Sequence, residues 1–110
     1  MDDTHLIELL DTLAEAELTL ALAESLTGGA LCARLVDVPK ASRVLRGGVC
    51  TYATPLKAKL LGVDSTLLAE KGPVDAEVAR QMAQGARRLM GAKLALSTTG
   101  VAGPGPAEGH

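Results

Sequence analysis

At 110 residues, 47% of them hydrophobic, the chain suits one globular domain with a core of its own. Eleven basic against thirteen acidic residues leave a net charge of −2, with no positive excess for a nucleic-acid partner or an anionic membrane surface. No apolar run approaches the ~20 residues of a membrane-spanning helix, and MDDTHLIELL has acids where a secretory signal has bases, so a cytoplasmic protein is expected.

Residues 3–16 carry Leu6, Leu9, Leu10 and Leu13 at helical spacing and predict a helix; residues 18–23 follow as a short buried strand. Residues 27–36 read as a helix with Leu31, Cys32 and Leu35 on its apolar face, stopped before Pro39. Residues 47–53 are a β-rich run, and residues 54–61 open with Thr and Pro as a capped helix does. Residues 75–90 repeat that logic, with Asp75 as N-cap and Val78, Ala79, Met82, Ala86 and Leu89 as the stripe. Residues 93–98 close as a strand. Alternating strands and helices predict a three-layer α/β/α sandwich with a mostly parallel or mixed sheet. The glycine-proline stretch TGVAGPGPAEGH after the last strand should lead into another element, so the domain is expected to be incomplete at its C-terminus.

Two cysteines, Cys32 and Cys50, lie in apolar contexts without CxxC spacing; packed, reduced thiols are expected and no metal site. Phe and Trp are absent, and Tyr52 is the one aromatic residue, which excludes an aromatic platform for stacked bases. His5 lies near the N-terminus and His110 ends the chain, so neither is placed for a catalytic triad.

Most of the chemistry is concentrated in AESLTGG, residues 23–29. It follows a predicted strand and opens a predicted helix, the place where open α/β sheets bind ligands. Two readings stand. Either Ser25 or Thr27 merely caps the helix while the glycines allow close packing, or Ser25 is a nucleophile beside the Thr27, Gly28 and Gly29 amides, which would face an anion or an oxyanion. Glu24 either fixes the turn or orients a neighbour. In GGVCTYATPLK, Tyr52 ends a second strand and Lys57 follows on a helix, so both can reach the same end of the sheet as Ser25. A third glycine-rich loop, TTGVAGPG, follows the third strand.

With these stretches quoted, the chain resembles the C-terminal domain of the CinA competence/damage-inducible proteins, whose stand-alone members are nicotinamide-nucleotide amidohydrolases. The resemblance rests on AESLTGG (family pattern AESCTGG), DVPKASRVLRGGVCTYATPLKAKLLGV, GPVDAEVARQMAQGAR and STTGVAGP, and spans residues 5–106. It implies hydrolysis of the carboxamide of nicotinamide mononucleotide to nicotinic acid mononucleotide and ammonia, with no cofactor. Carried over, Ser25 is the nucleophile, assisted by Tyr52 and Lys57. The glycine-rich loop, with Thr99, Gly100, Ala102 and Gly103, is expected to contribute to the nucleotide pocket.

A lysine held in such a cleft can act as the base for a serine. Tyr52 either passes the proton or donates to the substrate amide. For the substrate phosphate, Arg46, Gly47, Gly48 and the amides of the 99–103 loop are candidates. Leu26 stands where the family has cysteine, and Thr54-Pro55 replaces Asn-Glu. A homo-oligomer is expected, because a sheet cut after its third strand leaves an open edge. The competing reading is a non-catalytic nucleotide-binding or interaction module.

Overall fold

The computed structural model describes residues 3–101. In chain order these form α1 (Asp3–Glu15), β1 (Leu20–Glu24), α2 (Ala30–Val36), a 3-10 turn (Ala41–Arg43), β2 (Leu45–Cys50), α3 (Thr54–Leu61), α4 (Ser65–Lys71), α5 (Ala76–Met90) and β3 (Leu94–Ser97). The strands make one parallel sheet in the order β2-β1-β3.

β1 is central and buried along its whole length, as a strand covered on both faces must be. Its alternation sorts the layers. Ala21 and Ala23 pack with Leu61, Leu68, Val78, Met82 and Ala86 from α3, α4 and α5. Leu20 and Leu22 pack with Leu6, Leu10 and Leu35 from α1 and α2, and with Val38, Ala41 and Val44 around the 3-10 turn. The result is the expected α/β/α arrangement, with every described strand pair parallel. The chain leaves β1 toward β2 and then crosses back over β1 to β3. Right-handed crossovers running in opposite directions put their helices on opposite faces, as here.

Several local expectations change. The helix expected from residue 27 starts at Ala30, because Gly28 and Gly29 take positive φ of 60° and 102° in a turn that precedes it. The N-cap of α3 is Ala53, with Thr54 already helical. α4 is an element beyond the expected set; Asp64 caps it by accepting from the amides of Thr66 and Leu67. On α5, Asp75 caps as expected, accepting from Glu77 and Val78, but Leu89 is 57% exposed and Gly85 is inside. No helix among the described residues is long and apolar enough to cross a membrane.

Candidate active site

The carboxyl ends of all three strands share one edge, and the loops after β1 and β3 flank the point where the chain reverses its direction across the sheet. Open α/β sheets offer their ligand crevice at such a point. Ser25 is the first residue beyond β1 and is buried. Its carbonyl accepts the amide of Gly28 at 3.0 Å, closing a tight turn, and the carbonyl of Thr27 accepts the amide of Ala30 at 2.9 Å.

Lys57 comes to Ser25 from α3. Its side chain is completely buried, and Nζ lies 3.0 Å from Ser25 Oγ. The same amine donates to the carbonyls of Thr51 at 2.6 Å and Tyr52 at 3.4 Å. Those carbonyls are held in place because Thr51 N–H extends the ladder to the carbonyl of Glu24 at 2.9 Å. Lys59, two residues on, is exposed. Tyr52 contributes its carbonyl to this cluster, while its side chain is 70% exposed at the surface.

Glu24, the last residue of β1, is buried and directs its carboxylate at the start of α2. Oε1 accepts from Thr27 Oγ1 at 2.6 Å and the amide of Leu31 at 2.9 Å; Oε2 accepts from the amide of Cys32 at 2.9 Å. Burial pushes this carboxyl up, but the bonds from the Thr27 hydroxyl and from the amides of Cys32, Leu31 and Gly29 outweigh it and hold the group below its ordinary value. The amides at the mouth of α2 are therefore satisfied from within. The expectation that the Gly28 and Gly29 amides wait for an oxyanion is corrected: Gly28 N–H donates to the carbonyl of Ser25, and Gly29 joins Leu31 and Cys32 in bonding the acid of the motif at the positive end of the helix.

Thr98, just past β3, completes the cluster. Its Oγ1 lies 3.3 Å from Ser25 N and 2.8 Å from Thr27 Oγ1. Sequence reasoning passed over Thr98 and left Glu24 undecided. The hydroxyl pair directly after a strand was the available signal for the first. Thr99 donates to the carbonyl of Pro73 at 2.6 Å, tying this loop to the start of α5. Gly100 lies against Leu26, whose Cδ1 would be 3.0 Å from a Cβ at Gly100. Ala102 and Gly103 lie outside the described residues.

Arg46, Gly47 and Gly48 are not brought to this edge. Leu20 pairs with Leu45 and Ala21 with Gly47, so Arg46 is the extra residue of a β-bulge in the first half of β2. The bulge re-aims its guanidinium, and Nε donates to the carbonyl of Met90 at the end of α5. A Cβ at Gly48 would sit 3.2 Å from Cys32 Sγ, so this glycine lets α2 approach the sheet. Cys32 and Cys50 are free, and among the described residues no group of three or more His, Cys, Asp or Glu is placed to hold a metal ion.

The sequence pattern described as the CinA C-terminal domain matches residues 3–110. The chain belongs to the CinA C-terminal domain family. A CinA-like protein of Frankia casuarinae is 51% identical over 107 residues, which is 97% of this chain and 25% of the relative. A putative competence-damage inducible protein of Desulforamulus reducens is 50% identical over 97 residues, covering 88% and 24%. Among solved structures, a CinA superfamily protein from Escherichia coli superposes with a TM-score of 0.91 at 30% identity, covering 97% of this chain and 63% of that one. The competence/damage inducible protein from Agrobacterium tumefaciens gives 0.89 at 33% identity, covering 98% and 66%. The chain thus spans about a quarter of its curated relatives and about two thirds of the solved CinA chains.

Within this CinA domain, the serine, the buried amine and the two threonine hydroxyls meet at one point. Ser25 Oγ and Lys57 Nζ stand at hydrogen-bond distance, the separation within which a hydroxyl can pass its proton to an amine.

Proposed function

We propose that the chain carries the serine–lysine centre of an amidohydrolase that converts nicotinamide mononucleotide and water to nicotinic acid mononucleotide and ammonia. The observation that carries the reading is the buried Lys57 amine 3.0 Å from Ser25 Oγ. Family membership supports the coarser part, and the resemblance to nicotinamide-nucleotide amidohydrolases supplies the substrate.

Burial favours the neutral amine over the ammonium. The Lys57 amine donates to the carbonyls of Thr51 and Tyr52 and reaches Ser25 Oγ at 3.0 Å, so in its neutral form it can take the serine proton. Ser25 Oγ attacks the carboxamide carbon as Lys57 takes the hydroxyl proton. Collapse of the tetrahedral intermediate breaks the C–N bond, with Lys57 returning the proton to the departing ammonia. The ester left on Ser25 is then hydrolysed by water with Lys57 again as base, which releases the carboxylate and frees the serine. The exposed Tyr52 phenol is available to the substrate rather than to Lys57. Gly28 and Gly29 border open space, with nothing within 4 Å of a built Cβ, so a planar ring can approach the turn there.

Ammonia release from nicotinamide mononucleotide by the full chain is the test. Ser25→Ala and Lys57→Met should each lower turnover by about 10³-fold or more, while Lys59→Met leaves it unchanged. An active Ser25→Ala protein sinks the reading. A second reading, a nucleotide-binding module without turnover, is favoured by the Leu31 and Cys32 amides being given to Glu24 and so not open to an oxyanion; it predicts nucleotide binding with no ammonia released.

A further inference from the structure

The reaction above uses Ser25 and Lys57 and leaves a buried carboxylate beside them without a part to play. We propose that Glu24, Thr27 and Thr98 form a one-way hydrogen-bond chain that fixes Ser25 in place, with Glu24 as the positioning residue at its origin. The kinetic consequence rests on the amidase reading; the chain itself rests on geometry.

An ionised carboxylate only accepts. Thr27 therefore gives its one hydroxyl proton to Glu24 Oε1 at 2.6 Å. Toward Thr98 Oγ1, 2.8 Å away, Thr27 has a lone pair left, so Thr98 is the donor of that bond. Thr98 then meets Ser25 N–H, 3.3 Å away, with a lone pair of its own. Every link points the same way, from Ser25 N–H through two hydroxyls to Glu24. A chain of aligned donors polarises each member and resists reversal.

The acid cannot be exchanged for its amide. Glu24 receives Thr27 and Leu31 on one oxygen and Cys32 on the other. A glutamine has one oxygen, and whichever way it turns, its NH₂ faces a donor. Ser25 Oγ lies outside this chain and faces Lys57. The two networks therefore divide the work: Lys57 handles the proton of the hydroxyl, while Glu24, acting through Thr27 and Thr98, holds the backbone that aims it.

The test uses the full chain and the shape-preserving pair Thr98→Val and Thr98→Ser. In Thr98→Val, hydrogen exchange at Ser25 N–H should accelerate while the Leu31 and Cys32 amides stay protected. Turnover of nicotinamide mononucleotide should fall about 10²-fold in kcat, as a small misplacement of reacting groups does, with KM changed by no more than about twofold. Thr98→Ser should restore both. Glu24→Gln should accelerate exchange at all three amides, and if it does not fold, the Thr98 pair decides alone. Unchanged Ser25 exchange in Thr98→Val overturns the chain whatever the kinetics, and accelerated exchange with an unchanged kcat overturns the positioning role. Should the wild-type protein release no ammonia, the amidase reading has failed on its own; the rate at which a fluorophosphonate probe labels Ser25 then replaces kcat, with slowing in Thr98→Val supporting the proposal and an unchanged rate overturning it.

Discussion

Lys57 and Lys59 stand two positions apart on α3 and inhabit different media, one sealed against Ser25 and the other in solvent. Helical geometry separates them by about 200°, so only one can face the sheet. In the sequence, only the match to the family's tyrosine-to-lysine spacing singles out Lys57. Glu24 was not legible in the same way, because its acceptor role appears only once Gly28 and Gly29 bend the chain and bring the Leu31 and Cys32 amides back over the carboxylate. Thr98 was hidden by distance, 73 residues from Ser25 in the chain. The hydrogen bonds that hold the folded Glu24 carboxyl below the ordinary 4.5 stabilise the fold above that pH, and their contribution is lost as pH falls through the lower folded value. Glu24→Gln should therefore cost about 1–3 kcal/mol at neutral pH, where unsatisfied donors are left behind. Its deficit against wild type should shrink as the buffer is taken progressively below the ordinary glutamate value. Urea unfolding of both proteins across that range checks this, and a deficit independent of pH would count against it.

At the scale of elements, polar punctuation was legible at α5 but not at α2 or α3, whose N-caps are Gly29 and Ala53. Asp75 placed the start of α5 within a residue, yet the buried face is turned away from Leu89 and toward Gly85. Hydropathy gives a glycine no weight, although its lack of a side chain is what the packing uses. A Cβ at Gly85 would lie 2.0 Å from the carbonyl oxygen of Leu61, so α3 and α5 meet backbone to backbone. Gly85→Ala must push the two helices apart, and a thermal melt should show a loss of about 1–3 kcal/mol, typical of overpacking. A melting temperature equal to wild type would mean that the contact is slack. α4 escaped the pattern because its seven residues bury one side chain, Leu68. Its cap, Asp64, was the signal available.

Across the whole molecule, the order β2-β1-β3 explains why one edge collects the chemistry, with β1 between both partners and the two flanking loops closing on Ser25. Fold class and strand direction were legible from alternation alone, whereas the course of α1 and α2 over the sheet was not. Leu94 and Leu96 pair in register with Leu20 and Leu22, but they remain 37% and 52% exposed because that helical layer does not extend over β3. Exposed apolar side chains on an edge strand favour association. Light scattering should show concentration-dependent assembly that Leu94→Ser with Leu96→Ser weakens; a monomer at every concentration would refute this. The Thr98 link to Ser25 also orders events in time. β1, β2 and α3 bring Lys57 to Ser25 across 32 residues, whereas Thr98 closes a span of 73. Long spans are entropically the later ones to close. On a ribosome, Ser25 and Lys57 have emerged well before Thr98, so the contact between the first two can form while the strand that carries Thr98 is still being made.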